Sequence, residues 1–163
     1  MSASLSENSQ PKLKIRQISF RTHAHATESI EKVKGIFTDI LGIELNEKEI
    51  QIDNCSGTFG QRITNIEVNF KVQKKIKVIL SVLTEKLSDS DKKFLSKSFQ
   101  QRLDEKYKFF FRLDKQYAVI DQVKIARHPD VIQVIVAVQN RNLQIPLTVE
   151  IVRDYFKTLN LII

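Results

Sequence analysis

With 163 residues, 42% hydrophobic and 28% charged, the chain has the make-up of an ordinary globular protein, and at this length folding buries roughly 70% of the unfolded surface without disulfides or metals. Cys55 is the only cysteine, which excludes an intrachain disulfide and a thiolate metal cluster and fits a reducing, cytoplasmic setting. The whole net charge of +7 falls between Lys74 and Arg127, where fourteen Lys/Arg meet seven Asp/Glu; the segment before balances at nine and nine, the segment after at three and three.

Residues 1–11 are polar, with neither an apolar core nor a basic start, and read as a disordered tail rather than a signal peptide. Residues 12–163 read as one domain, and no run approaches the roughly 18 apolar residues of a membrane span. From Gln17 to His25 apolar and polar residues alternate, as in a half-buried strand. Thr27 is placed to cap a helix and Glu28 to face its positive end. Ile30, Val33, Ile36, Phe37, Ile40 and Leu41 then recur at helical spacing, and Gly42 stops the helix. A short strand near Glu49–Asn54 leads into a turn, and a second alternating strand follows, with Ile66, Val68, Phe70 and Val72 inward. Residues 74–87 read as a helix. Ser88 with Asp91 three residues on resembles a capping box, opening another helix to about Leu103 that carries Lys92, Lys93, Lys97 and Arg102, with the three lysines on its solvent side. Lys108–Leu113 is a Phe-rich strand. Val119–Ile125 and Val131–Val138 read as a hairpin across His128-Pro129-Asp130, and a last helix runs from Thr148 to about Leu159. This order argues α+β, with a mostly antiparallel open-faced sheet and helices packed on one face. Abundant Lys and Ile beside 4 Gly, 3 Pro, 1 Cys and 1 Met suggest a thermophilic origin.

If the apolar sides of the strands meet the helices, the other face carries Gln17, Ser19, Arg21, His23 and His25, then Asn69, Lys71 and Gln73, then Lys108, Phe110 and Arg112, and finally Gln122 and Lys124. Arg and Lys suit phosphates, and Phe110 could stack on an unpaired base. Concentrated positive charge attracts polyanions, nucleic acid foremost. The plainer readings are a solubilising Lys-rich helix pair and a sheet face covered by a protein partner. Catalytic and metal signals are weak. His23 and His25 share a face, but His128 as third ligand lies in a distant turn. Asp114 beside Lys115 suits turn anchoring or pairing with an Arg better than acid/base work. Gly57 and Gly60 around Phe59, with Arg62 behind, form either a tight connection or a loop that approaches a phosphate backbone; no Gly-Lys-Ser/Thr follows. No catalytic residue, metal or cofactor is expected.

Three segments nevertheless form a set: His25-Ala26-Thr27-Glu28 with Lys32-Val33 behind it, the loop Gly57-Thr58-Phe59-Gly60, and Arg112-Leu113-Asp114-Lys115-Gln116 closing an aromatic strand. From about Ile15 to Phe156 the chain resembles an archaeal family of predicted exosome-linked RNA-binding proteins, whose fold is like that of the large-subunit ribosomal protein that binds 5S RNA. In that family the loop more often reads Gly-His-Phe-Gly-Asn-Pro, so the glycines match here and the His and Pro do not. Ser29 replaces an acidic residue. The resemblance implies a non-catalytic RNA-binding protein of RNA processing or ribosome-related metabolism, with RNA and exosome or ribosome components as partners. The alternative is an adaptor docking on a multi-subunit complex, with a small hydrolase or nuclease ranked behind it.

Overall fold

A computed structural model describes residues 10–56, 60 and 62–163. The expected tail falls almost wholly outside these residues, as do Gly57 and Phe59 of the loop. Strands β1 (Leu13–His25), β2 (Ile50–Ser56), β3 (Arg62–Phe70), β4 (Lys108–Asp114) and β5 (Val131–Asn140) form one five-stranded sheet in the order β2-β3-β1-β5-β4. Every neighbouring pair is antiparallel. Among the described residues there are six α-helices: α1 (Ile30–Leu41), α2 (Gln73–Lys86), α3 (Asp89–Lys97), α4 (Phe99–Arg102), α5 (Lys115–Val119) and α6 (Val149–Thr158). The α+β, antiparallel architecture read from the residue pattern is the observed one.

The period-two pattern puts Ile18, Phe20, Thr22 and Ala24 of β1 on the buried side, with Ile66, Val68 and Phe70 of β3, Phe109, Phe111 and Leu113 of β4, and Ile132, Val134, Val136 and Val138 of β5. The apolar stripes of the helices close over that side. Phe37 of α1 meets Phe20 at 5.8 Å between ring centroids, and Phe20 meets Phe70 edge-on at 6.0 Å. At the other flank Phe99, Phe109 and Phe156 pack with centroids 4.9–5.4 Å apart, within the range in which ring pairs attract beyond their burial. A bulge between Ile15 and Gln17 in the β1–β5 ladder lets Ile15 and Ile18, three apart, both point into the core. It also places Lys14, opposite Gln139, on the outer side.

Several local expectations are corrected. The helix read from Ser88 to Leu103 breaks at Ser98 into α3 and α4. Ser88 does accept a hydrogen bond from the Asp91 N–H, but the Asp91 carboxylate accepts instead from the Ile125 N–H, so the box is not reciprocal. Thr27 is not the cap of α1. Residues His25 to Glu28 form a turn closed by the Glu28 N–H to the His25 carbonyl, and Ser29 holds the cap position. Most consequentially, Val119–Ile125 is no strand and makes no hairpin with β5. Both edges of β5 are taken by β1 and β4, so the segment runs along the outer edge of β4. There the Asp114 N–H donates to the Lys124 carbonyl and the Ala126 N–H to the Arg112 carbonyl.

Candidate functional site

Strand register decides which polar groups share a surface. Arg112 of β4 stands opposite Gln133 of β5, Gln133 opposite Arg21 of β1, and Arg21 opposite Glu67 of β3. Directly paired residues point the same way, so Arg112, Gln133, Arg21 and Glu67 make one row across four strands on the side away from the core. His23 lies two residues beyond Arg21 on the same side. The next row is Phe110, Ile135, Ser19 and Asn69, and the one after is Lys108, Ala137 and Gln17. The outer face is thus polar at its rim and less so at its centre, where Ile135, Ala137 and Ser19 are buried and Phe110 is half-buried. Ser19 donates to Asn69 at 2.6 Å, and Gln17 donates to both at 2.9 Å. That network leaves the centre rigid and internally satisfied.

The face is electrically asymmetric. Glu67 and Asp53 stand on β3 and β2, and the Glu67 carboxylate lies 3.3 Å from the Arg21 guanidinium. An exposed pair of this kind contributes little stability, but it does neutralise Arg21. On the β4 side Arg112 is exposed and faces Gln133 rather than a carboxylate. Next to it, across the β4 edge, is Arg102 of α4. Its Nε donates to Ser98 at 2.7 Å, its Nη1 reaches the Phe110 carbonyl at 3.4 Å, and its guanidinium lies 5.1 Å from the Phe94 ring centre. Burial first, and then the positive charge of Arg112, push the Arg102 guanidinium below its ordinary pKa. Arg102, Arg112, Phe94, Phe110, Gln133 and Asp104 line a cleft of about 460 Å³. The Asp104 carboxylate in that cleft already accepts from the Lys106 and Lys108 N–H groups, at 2.9 and 2.8 Å.

Two of the segments that carry the family resemblance, His25–Glu28 and Arg112–Gln116, meet at one end of the sheet through a buried lysine. Lys115 has 2% exposure. Its Nζ donates to the His23 carbonyl at 2.6 Å and to Glu28 Oε1 at 2.9 Å, with Asp130 Oδ1 at 3.5 Å. Although burial raises the Glu28 pKa, hydrogen bonds from Lys115 and the His25 N–H, with the charges of Lys115 and His25, outweigh it and hold the carboxyl below its ordinary 4.5. His25 Nε2 lies 3.7 Å from both Glu28 and Asp130. Asp114 anchors α5 by accepting from the Gln116 and Tyr117 N–H groups, the turn-anchoring role its position suggested. His25 also pairs with Ile63 at the start of β3, which brings Arg62 to the same end. Gly60 there has φ +74°, a conformation that favours glycine.

Other nominated residues are scattered. Lys71, just past β3, borders a shallow groove with Glu67, Glu49 and Gln51, on the acidic side. Lys93 and Lys97 are exposed on α3, but Lys92 is buried at 5%, contrary to the solvent position expected of it; α3 is short and turns Lys92 inward beside Leu95. Lys124, expected on the sheet, lies outside it with its ammonium 4.1 Å from the Tyr117 ring centre. Gln122 likewise lies outside the sheet. Thr27 and Gln116 are exposed. His23 is hydrogen-bonded through Nδ1 to Asn65 Oδ1. Among the described residues no group of three or more His, Cys, Asp or Glu is arranged to hold a metal ion, and no helix is long and apolar enough to cross a membrane. Residues the sequence reading did not assign to the site are Lys14, Phe94, Arg102 and Gln133. Phe94, 48% exposed on an otherwise polar helix side, is the one whose position in the pattern could have flagged it.

The fold and the outer face define an antiparallel α+β protein with a basic flank on an open sheet. The family described as RNA binding matches residues 17–138, and the chain belongs to that family. An RNA-binding protein of Pyrococcus abyssi is 30% identical over 148 residues, which cover 90% of this chain and 96% of that protein. Among solved structures, a DUF54 protein of Archaeoglobus fulgidus superposes with a TM-score of 0.73 at 25% identity, covering 90% of this chain and 99% of that one. A DUF54 protein of Methanothermobacter thermautotrophicus shares the fold with a TM-score of 0.71 at 21% identity, covering 89% and 97%.

Proposed function

We propose that this chain is a non-catalytic RNA-binding protein that docks RNA on the β1–β5–β4 half of its outer sheet face and along the basic middle third. The observation that carries the reading is the row Arg112–Gln133–Arg21, with Lys108 four residues from Arg112 on the same face of β4. It sets cationic and hydrogen-bonding groups side by side, at the spacing of adjacent strands, on the side away from the core. Such groups meet phosphates, and half-buried Phe110 beside them offers a ring to an unpaired base. The Pyrococcus abyssi relative, named as an RNA-binding protein, supports the same partner. The resemblance of the His25–Glu28 and Arg112–Gln116 motifs supports a place in RNA processing or ribosome-related metabolism, with exosome or ribosome components as further partners and a fold like that of the 5S RNA-binding ribosomal protein. One free, exposed cysteine suits a reducing cytoplasm.

The test is a titration with single-stranded and structured RNA at several salt concentrations. For about four to six phosphate contacts, the slope of log affinity against log salt is expected at roughly −3 to −5. A second reading, an adaptor that docks on a protein complex, has Val119 and Ile120 in its favour, adjacent and 65% and 60% exposed. No binding to either RNA at low salt would overturn the RNA reading and leave the adaptor in front.

A further inference from the structure

We infer that the cleft between α4 and the edge of β4 is a binding site for one unpaired nucleotide of an RNA strand, with Arg102 and Arg112 holding a backbone phosphate and Phe110 or Phe94 receiving the attached base. The inference rests on the RNA reading above and goes beyond it by fixing where a strand leaves the sheet and which form of RNA the site accepts.

Three observations converge on the cleft. First, two guanidiniums line it without a carboxylate between them. Arg112 faces Gln133 across the strand, and the ion pairs formed by the described residues include neither Arg102 nor Arg112. The one acid in the lining, Asp104, is occupied by two backbone N–H donors. Two like charges held together without a counter-ion repel each other, and the two unesterified oxygens of a backbone phosphate, which share its negative charge, relieve that repulsion while matching the planar fork of Arg. Second, Arg102 is held in place before any ligand arrives, by Ser98, the Phe110 carbonyl and the Phe94 ring. Little side-chain freedom is then left to lose on binding. Third, rings stand on both sides of the cations: Phe110 on the sheet, and Phe94 on α3 with nearly half its surface exposed. An aromatic or guanidinium plane stacks on a base only when the base is free of its partner strand, so the cleft selects single-stranded over duplex RNA. Lys97, three residues beyond Phe94 on α3, shares that side of the helix and extends the cationic path around the β4 edge.

The test compares wild type with R112Q, R102Q and F94A in titrations of a uniform single-stranded RNA oligonucleotide and a blunt RNA duplex. Arg112 is exposed and supports no packing, so R112Q reports on binding even if R102Q loosens α4; circular dichroism checks the fold of each variant. R112Q is expected to weaken single-strand binding by roughly 5- to 100-fold and to reduce the salt slope by about 1, as removal of one phosphate contact does. F94A is expected to weaken it without changing the slope, and duplex binding should respond to neither. Wild type that binds no RNA would defeat the RNA reading itself. Wild type that binds single strands while folded R112Q and F94A bind them equally well would overturn this site alone, as would a loss seen with duplex only.

Discussion

An ammonium taken out of water needs partners that replace its hydration, and Lys115 finds them in the His23 carbonyl, Glu28 and Asp130. The pair ties the end of β1 to the end of β4, so the presence of Glu28 and of the Asp114-Lys115 step has a structural cause before any functional one. Removing one partner of a buried pair leaves the others uncompensated. Lys115→Ala should therefore cost about 3 kcal/mol in urea unfolding at pH 7, at the low end for buried pairs because Glu28 and Asp130 keep 32% exposure. The same variant has a pH signature. The Glu28 carboxyl is held below its ordinary 4.5 in the folded state, so its contribution is fully present above that value and is lost as pH falls through the lowered folded value. Wild-type stability should fall in this acid window, and the Lys115→Ala profile should be flatter there. An unchanged acid limb in the variant would remove the pair from the account.

Elements whose signals are local emerge as the residue pattern suggests, and those that depend on distant partners do not. The α1 stripe of Val33, Ile36, Phe37, Ile40 and Leu41 is the buried face of the helix. Gly42 ends it at φ +62°, its N–H donating to the Thr38 carbonyl. A Cβ at Gly42 would meet nothing within 4 Å, so the cost of Gly42→Ala is that of the left-handed backbone alone, about 1 kcal/mol. Gly42→Asn should recover part of it in the same thermal or urea melt. The segment from Val119 to Ile125 shows the opposite case. Four of its seven residues are β-branched and Val123 is buried, yet Asp121 takes φ +60° and the stretch pairs along β4 through one bridge, Leu113 to Ile125.

On the scale of the molecule, the positive third of the chain does not form one surface. Lys75 and Lys86 are spent on Glu49 and Asp121 at 2.6 Å, and Lys92 and Lys115 are buried. What remains accessible near the site is Lys93 and Lys97 on α3, then Arg102, Arg112 and Lys108. Reversing Lys93 and Lys97 to Glu should flatten the salt slope of RNA binding by about 2 if both meet phosphates, with the melting transition unchanged because both side chains are exposed. Lys92 must be left out of that set, since a reversed charge there would enter the core. A slope identical to wild type would confine the interface to the sheet face.

The amino-acid sequence by itself determined the α+β class, the buried faces of β1, β3 and α1, the cap at Ser88, the turn anchored by Asp114, and the alignment of Arg21 and His23 on one side of a strand. These follow from side-chain period and from hydrogen bonds that close within about four residues. Only the tertiary structure decided that β5 sits between β1 and β4, which puts Arg112, Gln133 and Arg21 in one row. It also decided that Lys92 and Lys115 are buried, and that Arg102 and Phe94 reach the β4 edge. Strand order and register are set by pairing across long sequence separations, here Arg21 with Gln133, and no local period encodes which strand wins an edge.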